Sequence, residues 1–217
     1  MKIDNLKVYD LEESILASGY PMRTELKDRP IDEKDYKRIY NLVKASNGNG
    51  AHGQWLTGVR VAFDLTCSNK MWVEAERYRF LEFVSSQSTM HRIAQFDIKS
   101  QCNGYVDPGI LYRVEEIRKE YLANPTPENY LKLLYNIPSG FELTARLTTN
   151  YRCLLNIYIQ RHDHRLPEWR EFCEYIYENL PLFKELVASY ESKDKELKTL
   201  RADVKRYKDL ELEDNMR

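Results

Sequence analysis

The chain has 217 residues, 42% hydrophobic and 12% aromatic with sixteen tyrosines, a composition that supports one domain with a buried core and excludes a disordered polymer. Lys and Arg number 33 against 34 Asp and Glu. The resulting net charge of -1 excludes a global basic field for a nucleic acid duplex or a membrane, so any phosphate binding must be local.

No run of about eighteen apolar residues occurs, and the start MKIDNLKVYDLEES lacks a secretory signal's apolar stretch, so a cytoplasmic protein is expected. Cys67, Cys102, Cys153 and Cys173 are scattered without a CxxC pair, which predicts reduced, mostly buried thiols and neither a zinc site nor a disulfide framework.

In chain order, Leu6 and Val8 predict a short strand, and Asp10 is placed to cap a helix through Leu11, Ile15 and Leu16 that stops near Gly19 and Pro21. A second helix is predicted from Asp32 to Ala45, ended by the NGNG run at Asn47 to Gly50. From Gly58 to Cys67 the sequence alternates, with Val59, Val61, Phe63 and Leu65 on one face, as a half-buried strand does. Lys70 to about Val84 reads as a helix rich in aromatics and charge, broken by Ser85 to Ser88.

Two further helices are expected around Gly109 to Tyr121 and Thr126 to Tyr135. Phe141, Leu143, Ala145 and Leu147 form a second alternating run ending at Thr148, Thr149 and Asn150, with Asn150 a good N-cap. The helix it starts carries Leu154, Leu155, Ile157, Tyr158 and Ile159, and is expected to be buried nearly all round. After Pro167 come helices near Trp169 to Glu178 and Leu182 to Tyr190, then a charged tail with a narrow apolar seam at Leu197, Leu200, Val204 and Tyr207.

Three segments concentrate polar groups. In the run from Glu74 to Arg79, Glu74 and Arg77 lie three apart on a predicted helical face, and Arg77 suits a carboxylate or phosphate; an exposed ion-pair ladder is the plainer reading. Ser85 to Arg92 is dense in donors, and reads equally as a phosphate-wrapping loop or a polar turn. Asn150, Arg152, Asn156 and Arg161 lie on the helix expected to be buried, where a polar ligand or an internal hydrogen-bond network must satisfy them. His162, Asp163 and His164 lack a third ligand at a diagnostic spacing, so a solvated loop is expected rather than a metal site.

Taken together these segments resemble the flavin-dependent thymidylate synthases, most closely over Leu147 to Trp169, where Thr-Asn-Tyr-Arg-Cys-Leu-Leu-Asn ending in Arg161 and Trp169 is similar to the family's C-terminal signature. The resemblance implies an α/β (α+β) fold over residues 1–191, with a central, mostly antiparallel sheet flanked by helices, and a separate charged helical tail over 192–217. It implies FAD as cofactor, with Arg77, Arg79, Asn150, Arg152 and Asn156 at the flavin. The acceptor it implies is a deoxypyrimidine nucleotide, met by Glu74, Ser88, Arg92 and Arg161, with Arg161 stabilising charge on the base.

The resemblance also implies methylenetetrahydrofolate and NADPH as co-substrates, and a homotetramer, since the family's sites form between subunits. The chain departs from the family pattern at several positions. Tyr78 stands where the central histidine of Arg-His-Arg is expected, Glu74 replaces a glutamine, and the flavin-loop histidine and a phosphate-binding arginine fall near Gly58 and Tyr135. Ser88 matches the nucleotide-binding serine at a different spacing from Arg77, and His91 and Arg92 are placed to replace a missing cation. Divergent relatives of this kind occur in bacteriophages, which would put the chain in a host cytoplasm. The departures also sustain a second expectation, an inactive protein of the same fold that binds or sequesters a nucleotide or docks a partner.

Overall fold

The structure, a computed structural model, describes residues 1–26, 29–47 and 50–193. In chain order the elements are β1 (Lys2–Tyr9), α1 (Leu11–Ala17), α2 (Glu33–Ser46), β2 (Arg60–Ser68), α3 (Asn69–Ala75), β3 (Glu82–Ser86), α4 (Thr89–Arg92), α5 (Pro108–Ala123), α6 (Pro127–Tyr135), β4 (Glu142–Asn150), α7 (Tyr151–Arg161) and α8 (Pro167–Asn179). A last helix covers 183–193. Gly48 and Asn49 of the expected NGNG loop, and the tail from 194 onward with its apolar seam, lie outside the described residues. No helix among the described residues is long and apolar enough to cross a membrane.

The chain divides into two compact units, one made of Met1–Tyr9 with Arg60–Tyr175 and the other of Asp10–Val59 with the chain from Ile176. The first unit is built on a four-stranded sheet in the order β1-β2-β4-β3, with every pairing antiparallel. The period-two alternation of β2 buries Val61, Phe63, Leu65 and Cys67 against helices, while Asp64 and Thr66 stay half-exposed. On that open face Asp64 Oδ1 pairs with Arg146 Nη1 of β4 at 3.1 Å, and the hydroxyls of Thr66 and Thr144 meet at 2.7 Å.

Asn150 caps α7 as its sequence predicts, accepting from the Cys153 amide at 2.9 Å. Phe172 of α8 packs its ring 5.9 Å from those of both Phe63 and Trp169. A second apolar cluster, with Ile93, Val114, Ile117, Leu133 and Phe141 at its centre, joins α5 and α6 to the start of β4.

The predicted helix from Lys70 to Val84 is corrected. Its first part forms α3, which buries Met71, Trp72 and Ala75, but turns carry the chain from Ala75 to Leu81 and residues from Glu82 onward pair with β4 as the edge strand β3. Ser85 and Ser86, expected to break a helix, lie in this strand. Phe83 and Val84 suit a strand on propensity, and the partner that fixes them, β4, is remote in sequence, so a local window sees only the helical period. β3 is exposed along its whole length.

In the second unit Asp35 organises α2. It has no exposed surface, completes a capping box with Asp32, and meets Arg29 and Arg38 at 2.6 Å. Those guanidinium bonds, the Arg29 bond foremost, outweigh the opposing effect of burial and hold the Asp35 carboxyl well below the usual carboxylate range. Asp10 does not cap α1 with its side chain as expected: its φ of 58° places it in the left-handed region, and only its carbonyl serves the first turn, accepting from the Ser14 amide at 3.0 Å.

Candidate functional site

The first unit gathers a cluster of polar and aromatic side chains from α3, the turn after it, the end of α7 and the start of α8. Arg161, the last residue of α7, is its centre. Nη1 donates to Glu74 Oε2 at 3.0 Å, and Nε donates to the Tyr78 hydroxyl at 2.8 Å. The guanidinium stacks 5.1 Å from the Trp169 ring and 5.8 Å from Tyr78. Nη1 also lies 2.6 Å from His164 Nε2, and the Leu166 amide donates to His164 Nδ1 at 3.2 Å.

Glu74 Oε2 additionally accepts from the Trp169 indole at 3.1 Å, and Oε1 faces Lys70 at 3.2 Å. Burial opposes ionisation of Glu74, but Lys70, Trp169 and Arg161 together outweigh it and hold the carboxyl below its ordinary value. Glu74 is therefore ionised at neutral pH and meets the Arg161 guanidinium as an ion pair.

The helix placement explains the convergence. Trp72 and Ala75 anchor one side of α3 in the core, which leaves Glu74 half-buried and turned to the end of α7. Ser68 caps α3 by accepting from the Met71 amide at 3.2 Å. Its own amide and hydroxyl donate to the buried carboxylate of Glu168 at 2.8 and 2.5 Å. Glu168 stands beside Trp169, so α8 supports Glu74 through both residues.

Of the residues singled out from sequence, Glu74 and Arg161 are in direct contact, but Glu74 does not form the expected pair with Arg77. α3 has ended by then, and Arg77 is exposed without an ion pair among the described residues. Arg79 is also exposed, its guanidinium 5.6 Å from the Phe80 ring. Asn150 is buried as the cap of α7, and Arg152, the second residue of that helix, is half-buried.

Asn156 is corrected. α7 is not buried all round; Asn156 and Gln160 lie on an exposed strip, and Asn156 Oδ1 accepts from Gln160 Nε2 at 3.0 Å rather than awaiting a ligand in the core. Ser88 sits at the N-cap position of α4 with no capping bond from its hydroxyl, and Arg92 at the end of α4 is exposed. His162 and Asp163 are solvated as expected, whereas His164 belongs to the Arg161 cluster.

Sequence reasoning missed Tyr78, His164, Gln160 and Lys70 as members of the site. The spacings of three and four between Arg161 and His164 and between Lys70 and Glu74 were the available signals. Arg60 was missed as well. It lines a cavity of about 190 Å³ at the end of the sheet, with Tyr9, Phe80, Glu82, Thr148 and Asn150 among its walls.

The buried thiols add no nucleophile. Burial pushes Cys67 and Cys153 up and Cys173 to about 12, so these three stay protonated at neutral pH.

No family model matches the sequence, and no curated protein matches it. The fold does have solved counterparts. A crystal structure of the flavin-dependent thymidylate synthase from Helicobacter pylori complexed with FAD and dUMP superposes with a TM-score of 0.69 at 15% identity, covering 88% of this chain and 99% of that one. A second crystal structure of the enzyme with the same ligands gives 0.69 at 14% identity, covering 88% and 100%. The chain is therefore a mixed α/β protein with the fold of those structures, a four-stranded antiparallel sheet flanked by helices.

Proposed function

We propose that the chain is a flavin-dependent enzyme that transfers a one-carbon unit from methylenetetrahydrofolate to C5 of a deoxypyrimidine nucleotide, with NADPH as reductant, acting as a homotetramer in the cytoplasm. The observation that carries this reading is the half-buried Arg161, fixed by Glu74, Tyr78 and Trp169 at the end of a helix that Asn150 caps, on the fold of proteins crystallised with FAD and dUMP.

The residues fit a flavin dinucleotide. Arg77 and Arg79 are exposed cations with no ion pair among the described residues, the donor set a diphosphate requires, and Asn156 offers an exposed amide on the same unit. Arg77, Arg79, Asn150, Arg152 and Asn156 would hold the cofactor, whose reduced ring supplies the carrier for the one-carbon unit. Glu74, Ser88, Arg92 and Arg161 would orient the nucleotide, with Arg161 donating to the base where negative charge develops. The high thiol pKa values of Cys67, Cys153 and Cys173 agree with a route that uses no enzyme cysteine.

A second reading, a nucleotide-binding protein without turnover, is favoured by one observation: Glu74 neutralises Arg161, which weakens the field available to a developing anion. Absorbance spectra of the purified protein with and without added FAD test the reading. A stoichiometric bound-flavin band followed by turnover with dUMP or dCMP supports the enzyme. Nucleotide binding by a protein that takes up no flavin supports the second reading, and an Arg161→Ala variant with unchanged nucleotide affinity overturns the placement of the site in both.

A further inference from the structure

A continuous chain of hydrogen bonds runs along α7 from the guanidinium to the exposed amide. Arg161 Nε donates to the Tyr78 hydroxyl at 2.8 Å, that hydroxyl donates to Gln160 Oε1 at 3.0 Å, and Gln160 Nε2 donates to Asn156 Oδ1 at 3.0 Å. Every donor points away from Arg161. The first link can run only one way, because a guanidinium can only donate; with the Tyr78 hydroxyl donating to Gln160 Oε1, Gln160 Nε2 is left to donate to Asn156 Oδ1. Asn156 consequently turns its NH2 donors outward, and one lone pair of its Oδ1 is taken by Gln160.

Tyr78 is the one link held by the core. It is 9% exposed and its ring packs 5.8 Å from Trp169 at a steep angle, whereas Gln160 and Asn156 stand in solvent. Its hydroxyl is thus the rigid point on which the orientations of a half-buried cation and an exposed amide both depend.

We infer that Tyr78 is a positioning residue that couples the nucleotide-binding guanidinium of Arg161 to the flavin-binding amide of Asn156, so that a ligand ordering one end of the chain tightens binding at the other. The inference rests on the proposed flavin and nucleotide reading and adds to it an energetic link between the two ligands. A ligand on Arg161 that holds the guanidinium against Tyr78 removes orientational freedom from Gln160 and Asn156, and a flavin on Asn156 does the same in reverse. Such coupling is reciprocal by thermodynamic necessity.

The test is titration of FAD into the full chain with and without saturating dUMP or dCMP, in wild type, Tyr78→Phe and Gln160→Ala, with flavin fluorescence as the readout. Tyr78→Phe keeps the ring and removes only the hydroxyl; Gln160→Ala breaks the chain at an exposed position that leaves the core intact. The expected result is a nucleotide-dependent tightening of FAD in wild type, on the order of fivefold or more, that falls toward unity in both variants. In Gln160→Ala, affinity for each ligand alone should change less than about tenfold, the worth of one neutral hydrogen bond; Tyr78→Phe also removes a bond from the charged guanidinium and should weaken the nucleotide further. Binding of both ligands to wild type without coupling, or coupling that survives in both variants, overturns the role of Tyr78 and leaves the proposed function standing. Failure of wild type to bind FAD at all overturns the reading on which the inference rests.

Discussion

Arg161 Nη1 and Glu74 Oε2 meet at 3.0 Å with only 15% and 16% of their side-chain surfaces exposed, and the Trp169 indole donates to the same carboxylate oxygen. Truncating Glu74 would strand a partly desolvated cation and an indole N–H together. Glu74→Ala should therefore lower the unfolding free energy by about 1–3 kcal/mol, and Glu74→Gln, which keeps an acceptor, by less. Urea unfolding followed by tryptophan fluorescence checks this, and equal costs for the two variants would show that the charge, and not the acceptor, carries the interaction.

Asn150 combines a structural and a proposed ligand role, which substitution can separate. Asn150→Ala removes the cap of α7 and should cost about 1 kcal/mol, while Asn150→Ser retains a cap and most of the stability. If the residue also meets flavin, both variants should bind FAD more weakly. A serine variant with wild-type stability and wild-type FAD affinity would confine Asn150 to capping.

Glu168 supports the site from behind by accepting from the amide and the hydroxyl of Ser68. Glu168→Ala leaves those buried donors unsatisfied and should destabilise the protein by about 2 kcal/mol. Because Ser68 caps the helix that carries Glu74, nucleotide affinity should weaken too, although Glu168 is remote from the ligand in this reading. Thermal unfolding and nucleotide titration of one preparation measure both effects.

The second unit should show acid sensitivity from Asp35. Its folded-state pKa is depressed, so the stability it contributes is complete above the unfolded carboxylate value of about 3.9 and is lost as pH falls through the lower folded value. Asp35→Asn should be less stable than wild type at neutral pH, with the difference shrinking as the pH drops below about 4. Circular dichroism of acid unfolding provides the measurement, and a difference independent of pH would assign the cost to packing alone.

The sequence by itself determined the elements whose signals are local. The alternation in β2 and β4, the proline opening α6, and the cap at Asn150 were all legible because period and capping depend on neighbours a few residues apart. The mixed α/β class was implied by the family resemblance, and Arg161 was one of the polar residues of α7 that need partners wherever that helix packs.

Only the tertiary structure decided what depends on remote partners. Residues from Glu82 became an edge strand because β4, about sixty residues on, offers hydrogen bonds to Glu82 through Ser86. Glu74 turned from Arg77 to Arg161 because α3 stops there and α7 ends and α8 begins beside it, which no spacing within the Glu74 to Arg79 run reveals. The proton order from Arg161 through Tyr78 to Asn156 was equally hidden. Hydrogen bonds need an exact angle and a distance near 3 Å, and only the packed core holds Tyr78 where both are met.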